Sequence, residues 1–384
     1  HLREWSRDEQ QIKLPLYTSS NTATNTNEIT VGTLKITITP QSSNPENKVT
    51  LTPDSLKLLG EQSSNISGSL SKILALNWEN GYVAASIEAN SNVGKVGKKN
   101  KNKTLMAAIA TALDASLLQE KLGPNLIIAA SINSTSMFER NNDFWKLLPS
   151  LIKLDKSHRI LIAEEAEGDL RQLLVMGDSQ FFIQHEVMAI TDFKDSRKYR
   201  KDNLDGDIAK ASQLFKEVQN ALKGKSVRAM ASNSHVRAKL KEIHALNPRQ
   251  ISAKMLLILG STSKPKFIDS KYIGYEIRAI LSEVSSLLAK SANTINGEEL
   301  IEMGEKIEKR VETVQRFIDL QHNDALDDVD ELAKILQRAG KSKFKSDDYN
   351  SSSTNYRNFN EQIRKLKELS ANLRVQSAAL INPK

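Results

Sequence analysis

The feature that most limits what this chain can fold into is a change of texture near residue 192. Upstream, short runs of strand character alternate with helical segments; downstream, only helical periodicity remains. The stretch 28–40 (EITVGTLKITITP) alternates apolar and polar residues, and Gly32 breaks the phase, which predicts a strand with a bulge or turn. Strands are also predicted at 48–52 and 82–90, buried strands at 126–132 and 160–163, and a last strand region at 181–190, interrupted by His185 and Glu186. Helices are predicted between them at 69–76, 104–118, 144–154 and 164–175, with Pro53 suited to the first turn of another.

This pattern predicts an α/β or α+β domain over 28–193, preceded by a mobile polar segment at 1–27 and followed by a charged linker at 194–206. Residues 207–384 are predicted to form an all-α helical bundle with a flexible loop at 341–356. Its first helix carries Ile208, Ala211, Leu214, Phe215, Val218 and Leu222 on one face. Helices at 236–246 and 250–259 meet at Asn247-Pro248, a junction similar to a tetratricopeptide hairpin. Stacked arrays of that kind need about three repeats, so a lone unit is expected to merge into the bundle and hints at a peptide or protein partner.

Composition removes several function classes. The chain has no cysteine, which excludes disulfide scaffolds, cysteine zinc sites and cysteine catalysis. None of the six histidines is paired at helical spacing, so no metal is expected, and nothing signals a cofactor. The longest apolar runs fall far short of the ~20 residues a spanning helix needs. Net charge is +8, and the tightest basic run is Lys95, Lys98, Lys99, Lys101 and Lys103. That run has no interleaved aromatics to stack bases, so it reads as a solvated loop, and nucleic-acid binding is not expected. Asp202–Asp207 (DNLDGD) lacks the alternating ligands of a calcium loop and reads as a helix start.

The order of elements over 28–193 resembles the proteolytic domain of Lon-type proteases, a ribosomal protein S5 domain 2-like fold that uses a Ser–Lys dyad. Lys103-Thr104-Leu105-Met106 and the alanine-rich run behind it occupy the place of the family's GPSAG motif and helix. The resemblance therefore puts the nucleophile position on Thr104 and the lysine on Lys146, at a spacing close to the family's. Ala130-Ser131-Ile132-Asn133 stands where the family has Thr-Gly-Glu, and Ala163-Glu164-Glu165-Ala166 where it has Pro-x-Glu-Asn. The chain departs at both glycines of the nucleophile motif, and Asn142-Asp143 replaces the Gly-Gly pair before the lysine. No segment meets the phosphate-loop pattern of an ATPase module.

A Thr–Lys dyad requires a lysine deprotonated by burial, and Phe144, Trp145, Leu147 and Leu148 flank Lys146. The plainer reading makes Thr104 a helix N-cap and Lys146 a solvated lysine beside Trp145. Two functions follow, with nucleic-acid binding through the basic loop a weaker third. The first is a protein-interaction or scaffold protein on a Lon-type fold with weak or no peptidase activity. The second is an ATP-independent peptidase using Thr104 and Lys146. A homo-oligomer is an expectation by family analogy alone. The start at His1 fits a processed or trimmed product, and the absence of cysteine suits the cell envelope or secretion somewhat better than the cytoplasm.

Overall fold

The computed structural model describes the chain apart from residues 1–7, 18–28, 42–47, 61–62, 78–80, 90–103, 134, 136, 142–143, 262–264, 290–293, 316, 320–321, 348–352 and 383–384. The basic run at 95–103 therefore lies outside the described residues. Two compact units are present, His1–Lys264 and Pro265–Lys384.

Among the described residues of the first unit, seven strands form one sheet: β1 (Asp8–Tyr17), β2 (Ile29–Pro40), β3 (Lys48–Leu51), β4 (Tyr82–Ala89), β5 (Leu126–Ile128), β8 (Arg159–Ala163) and β9 (Glu186–Ile190). Their order is β3-β4-β2-β1-β5-β8-β9, and β6 (Ser131–Ile132) pairs with β7 (Phe138–Glu139) in a separate hairpin. β2 is antiparallel to both of its neighbours, while every other pair in the sheet is parallel. The helices are α1 (Pro53–Leu59), α2 (Ser63–Asn77), α3 (Thr104–Leu117), α4 (Phe144–Ile152), α5 (Glu167–Met176), α6 (Gln180–Gln184), α7 (Phe193–Tyr199), α8 (Gly206–Leu222), α9 (Val227–Ala231), α10 (Ser234–Leu246) and α11 (Ile251–Leu259). The architecture is α+β with a mixed sheet.

Strand alternation sorts these helices onto two faces. Leu126, Ile128, Leu161, Ala163, Met188 and Ile190 share one core with α2 and α3. Their neighbours Ile127, Ile160, Ile162, Val187 and Ala189 share another with α4, α5, α8, α10 and α11. Helices α3 and α4 thus cover opposite faces.

Several expectations are corrected. The segment taken as mobile contains β1, whose Ile12, Leu14 and Leu16 are fully buried and which joins β2 to β5 in mid-sheet. Gly32 is no bulge: it pairs in register with Leu14. The apolar phase shifts there because Val31 packs into the second core, whereas Leu34, Ile36 and Ile38 belong to the first. The region at 181–190 divides into helix α6 and strand β9. The segment taken as a linker holds α7, and the helices from α8 to α11 belong to the first unit, because Phe215, Val218 and their neighbours pack into its second core. The Asn247-Pro248 junction caps the open edge of β9: Arg249 accepts from Ala189 N–H, and the Ser252 hydroxyl accepts from Val187 N–H at 3.0 Å. Covering an exposed edge removes a template for aggregation.

Among the described residues, the second unit holds four α-helices, α12 (Ser270–Leu288), α13 (Gly297–Gln315), α14 (Asn323–Asp347) and α15 (Ser353–Ile381). They form a helical bundle in which α12 packs on α15, α15 on α14 and α14 on α13. Arg310 of α13 closes the circuit through Glu276 and Glu283 of α12. The stretch at 341–356 is corrected as well: α14 runs to Asp347, and Lys343 is buried over the Phe359 ring at 5.6 Å. Between its two helices only 348–352 lie outside the described residues.

Glycine permits a close contact between α13 and α14. A Cβ on Gly340 would stand 2.5 Å from the Gly297 carbonyl oxygen and 2.6 Å from Ile301. Gly340→Ala gains about 1 kcal/mol of helix propensity but forces the helices apart, which costs about 1–3 kcal/mol. Net destabilisation in urea is expected. Gly68→Ala in α2 meets nothing within 4 Å and should instead stabilise by up to about 1 kcal/mol. Equal shifts for the two substitutions would contradict this account of the packing.

Candidate functional site

Parallel strands β5, β8 and β9 all point their carboxyl ends at one edge of the sheet, the place where open sheets with helical crossovers hold ligands. The chain that leaves each strand there builds a cavity of about 360 Å³. The β6–β7 hairpin supplies Asn133, Met137, Phe138 and Glu139; the turn after β8 supplies Glu164 and Glu165; Thr191 follows β9.

Local hydrogen bonding shapes this wall. Asn133 Oδ1 accepts from Thr135 N–H, the Thr135 hydroxyl and Met137 N–H, and its Nδ2 donates to Glu139 Oε1 at 2.7 Å. Phe138 N–H donates to the Thr191 carbonyl at 2.8 Å, and the Phe138 ring meets Phe193 edge-on. Thr191 donates its hydroxyl to Asp195 at 2.6 Å. Burial pulls Asp195 upward, but Thr191, Lys198 and Arg249 outweigh it and hold the carboxyl below its ordinary range. Two cations near the cavity already have partners. Arg140 grips the buried Asp169 with two bonds, and Arg249 lies 3.2 Å from Asp195 and 3.5 Å from Glu164. Met137, 41% exposed, leaves apolar surface at this wall.

Thr104 opens α3 and is fully buried, with its hydroxyl donating to the Pro15 carbonyl of β1 at 3.3 Å. Lys146 belongs to α4, on the other face of the sheet; its side chain lies outside the described residues. Asn133, Glu164 and Glu165, which the sequence offers only as counterparts of family motif positions, meet at the cavity. Met137, Glu139 and Thr191 are not legible as site residues. The available signal was the position of glutamates directly after a buried strand.

At the opposite, amino-terminal ends of β8 and β9 sits a histidine pair. His185 is fully buried, its Nδ1 accepts from His158 N–H at 3.3 Å, and its ring lies 5.0 Å from Phe181. The proton therefore resides on Nε2, which has no hydrogen-bond partner among the described residues. Burial, aided by His158, pushes the His185 pKa down to about 4.

Among the described residues, no group of three or more His, Asp or Glu could hold a metal ion, and no helix is long and apolar enough to cross a membrane. No protein-family model matches the chain, and no curated protein matches it.

Proposed function

We infer that the chain is a protein-interaction or scaffold protein, whose first unit has a Lon-like fold with little or no peptidase activity. The observation that carries this reading is the environment of Thr104. A nucleophilic hydroxyl must reach a substrate carbonyl and hand its proton to a base. The Thr104 hydroxyl is shut from solvent and donates a hydrogen bond to the Pro15 carbonyl. Leu105 and Met106 behind it add bulk where an oxyanion pocket needs close backbone approach. The open cavity at the strand ends, in contrast, is accessible and rimmed by side chains suited to binding.

The Lon-like part of the reading rests on the order of elements and on the convergence of two motif stretches at one cavity. Thr104→Val is expected to cost about 1 kcal/mol of stability through the lost hydrogen bond and to leave peptide turnover at the wild-type baseline, as is Lys146→Met. The check is cleavage of a fluorogenic casein substrate beside a urea titration. Wild-type cleavage that both folded variants abolish would establish the Thr–Lys peptidase instead.

A further inference from the structure

The cavity is open, about 360 Å³, and among the described residues its lining contains three carboxylates, Glu139, Glu164 and Glu165, and no basic residue. This stands against the chain's overall charge of +8. Glu164 and Glu165 are exposed, and the only cation within ion-pair distance of either among the described residues is Arg249, 3.5 Å from Glu164. Among the described residues, Glu165 accepts a backbone N–H, that of Arg140 at 3.2 Å, and Glu139 accepts from the neutral Asn133 amide. Carboxylates held this way keep acceptor capacity for a guanidinium or ammonium. Beside them, Met137 offers apolar surface of the kind that takes a long alkyl stem.

We propose that this cavity binds a partner peptide through an arginine or lysine side chain, whose head pairs with Glu164 and Glu165 while its stem lies on Met137. The proposal rests on the interaction reading above and names the chemistry of the partner. Three features make the cavity a better receptor than a random acidic surface. Asn133 fixes the hairpin that forms its wall, so little ordering is needed on binding. The Phe138 backbone bond to Thr191 ties that wall to the end of β9. The negative charge sits in a concavity, where field lines are focused.

The test uses the full chain and two fluorescein-labelled peptides, acetyl-Gly-Leu-Arg-Leu-Gly-amide and its citrulline counterpart, which keeps shape and loses charge. Binding is followed by anisotropy at low and moderate salt, and each peptide is then weighed by mass spectrometry. The arginine peptide is expected to bind at least tenfold more tightly than the citrulline one. The double variant E164Q/E165Q should lose that tenfold preference while melting at the wild-type temperature, and Met137→Ser should weaken both peptides alike. Equal affinities, no binding by either peptide, or a preference untouched in E164Q/E165Q would overturn the proposal and leave the interaction reading standing. Argininamide binding as tightly as the peptide would also overturn it, by making a free small cation the occupant. An arginine-dependent complex in which the peptide is cut would keep the cavity assignment and overturn the non-catalytic reading instead.

Discussion

Arg200→Met should lower the stability of the first unit by about 3–5 kcal/mol, the largest single effect expected in this molecule. Arg200 is fully buried, and its guanidinium joins two carboxylates: Asp114 at 2.5 Å, and Glu120 through Nε at 2.9 Å and Nη2 at 2.6 Å. Asp114 is itself buried at the core side of α3 and also receives two bonds from Arg197. Burial would raise the Asp114 pKa, but Arg197 and Arg200 together hold the carboxyl below its usual range. Removing Arg200 therefore leaves buried negative charge short of a partner, and that uncompensated desolvation carries the cost rather than the net strength of the pair. Arg200→Lys should fail to rescue most of it, because an ammonium cannot reproduce the fork toward both carboxylates. Adding Asp114→Asn to Arg200→Met should recover part of the loss. Urea denaturation of the three variants measures all of this, and a loss below about 1 kcal/mol for Arg200→Met would refute it.

The second large effect is acid destabilisation through His185. An unfolded histidine titrates near 6.5, whereas the folded one is held down to about 4. Above pH 6.5 the contribution is present in full; as pH falls toward 4 the unfolded state takes up a proton that the folded state refuses, and stability drops. The drop amounts to as much as about 3 kcal/mol across that window. His158 works in the same direction: burial lowers its pKa, and the charges of Lys13 and Lys156 add to this, against an opposing bond to the Lys156 carbonyl. Asp178, pulled upward by burial, works in the opposite direction. Asp114 and Asp195, both held low, lose their contributions only below the ordinary carboxylate range. His185→Gln keeps an acceptor for the His158 N–H and cannot titrate. Its unfolding midpoint should vary with pH distinctly less than that of the wild type between pH 7 and 4.5. Parallel curves would show that His185 is not the group responsible.

These two effects share a location problem that explains what can be read from sequence. Arg200 falls in a stretch, FKDSRKYRKDNLDGD, whose charge density reads as solvated linker. Its burial depends on Asp114 and Glu120, far away in the chain, and only the packing of α7 against α3 brings the three together. His185 likewise reads as a polar interruption of a strand. It is the residue that closes α6 before β9 begins, and burial decides its chemistry.

The sequence by itself determined the elements whose signal is local. Pro53 opens α1 as its fixed φ suggests, alanine and leucine build the fully buried α3, and the short apolar runs at Leu126–Ile128 and Arg159–Ala163 are strands. It also determined that strands alternate with helices in the first unit, because that alternation is written in hydrophobic periodicity; the mixed sheet, antiparallel on both sides of β2, then decided for α+β over α/β. Periodicity names an apolar face but not the surface that covers it. Only the tertiary structure decided that β1 is a central strand, that the helices from α8 to α11 cover the sheet rather than join the bundle of the second unit, and that Asn247-Pro248 seals the edge of β9. It also decided where the glutamates after β8 point their chemistry, because Asn133, Met137 and Glu139 reach them through a hairpin that no local pattern announces. Burial against residues distant in sequence fixes each of these features, and a local pattern carries no record of that distance.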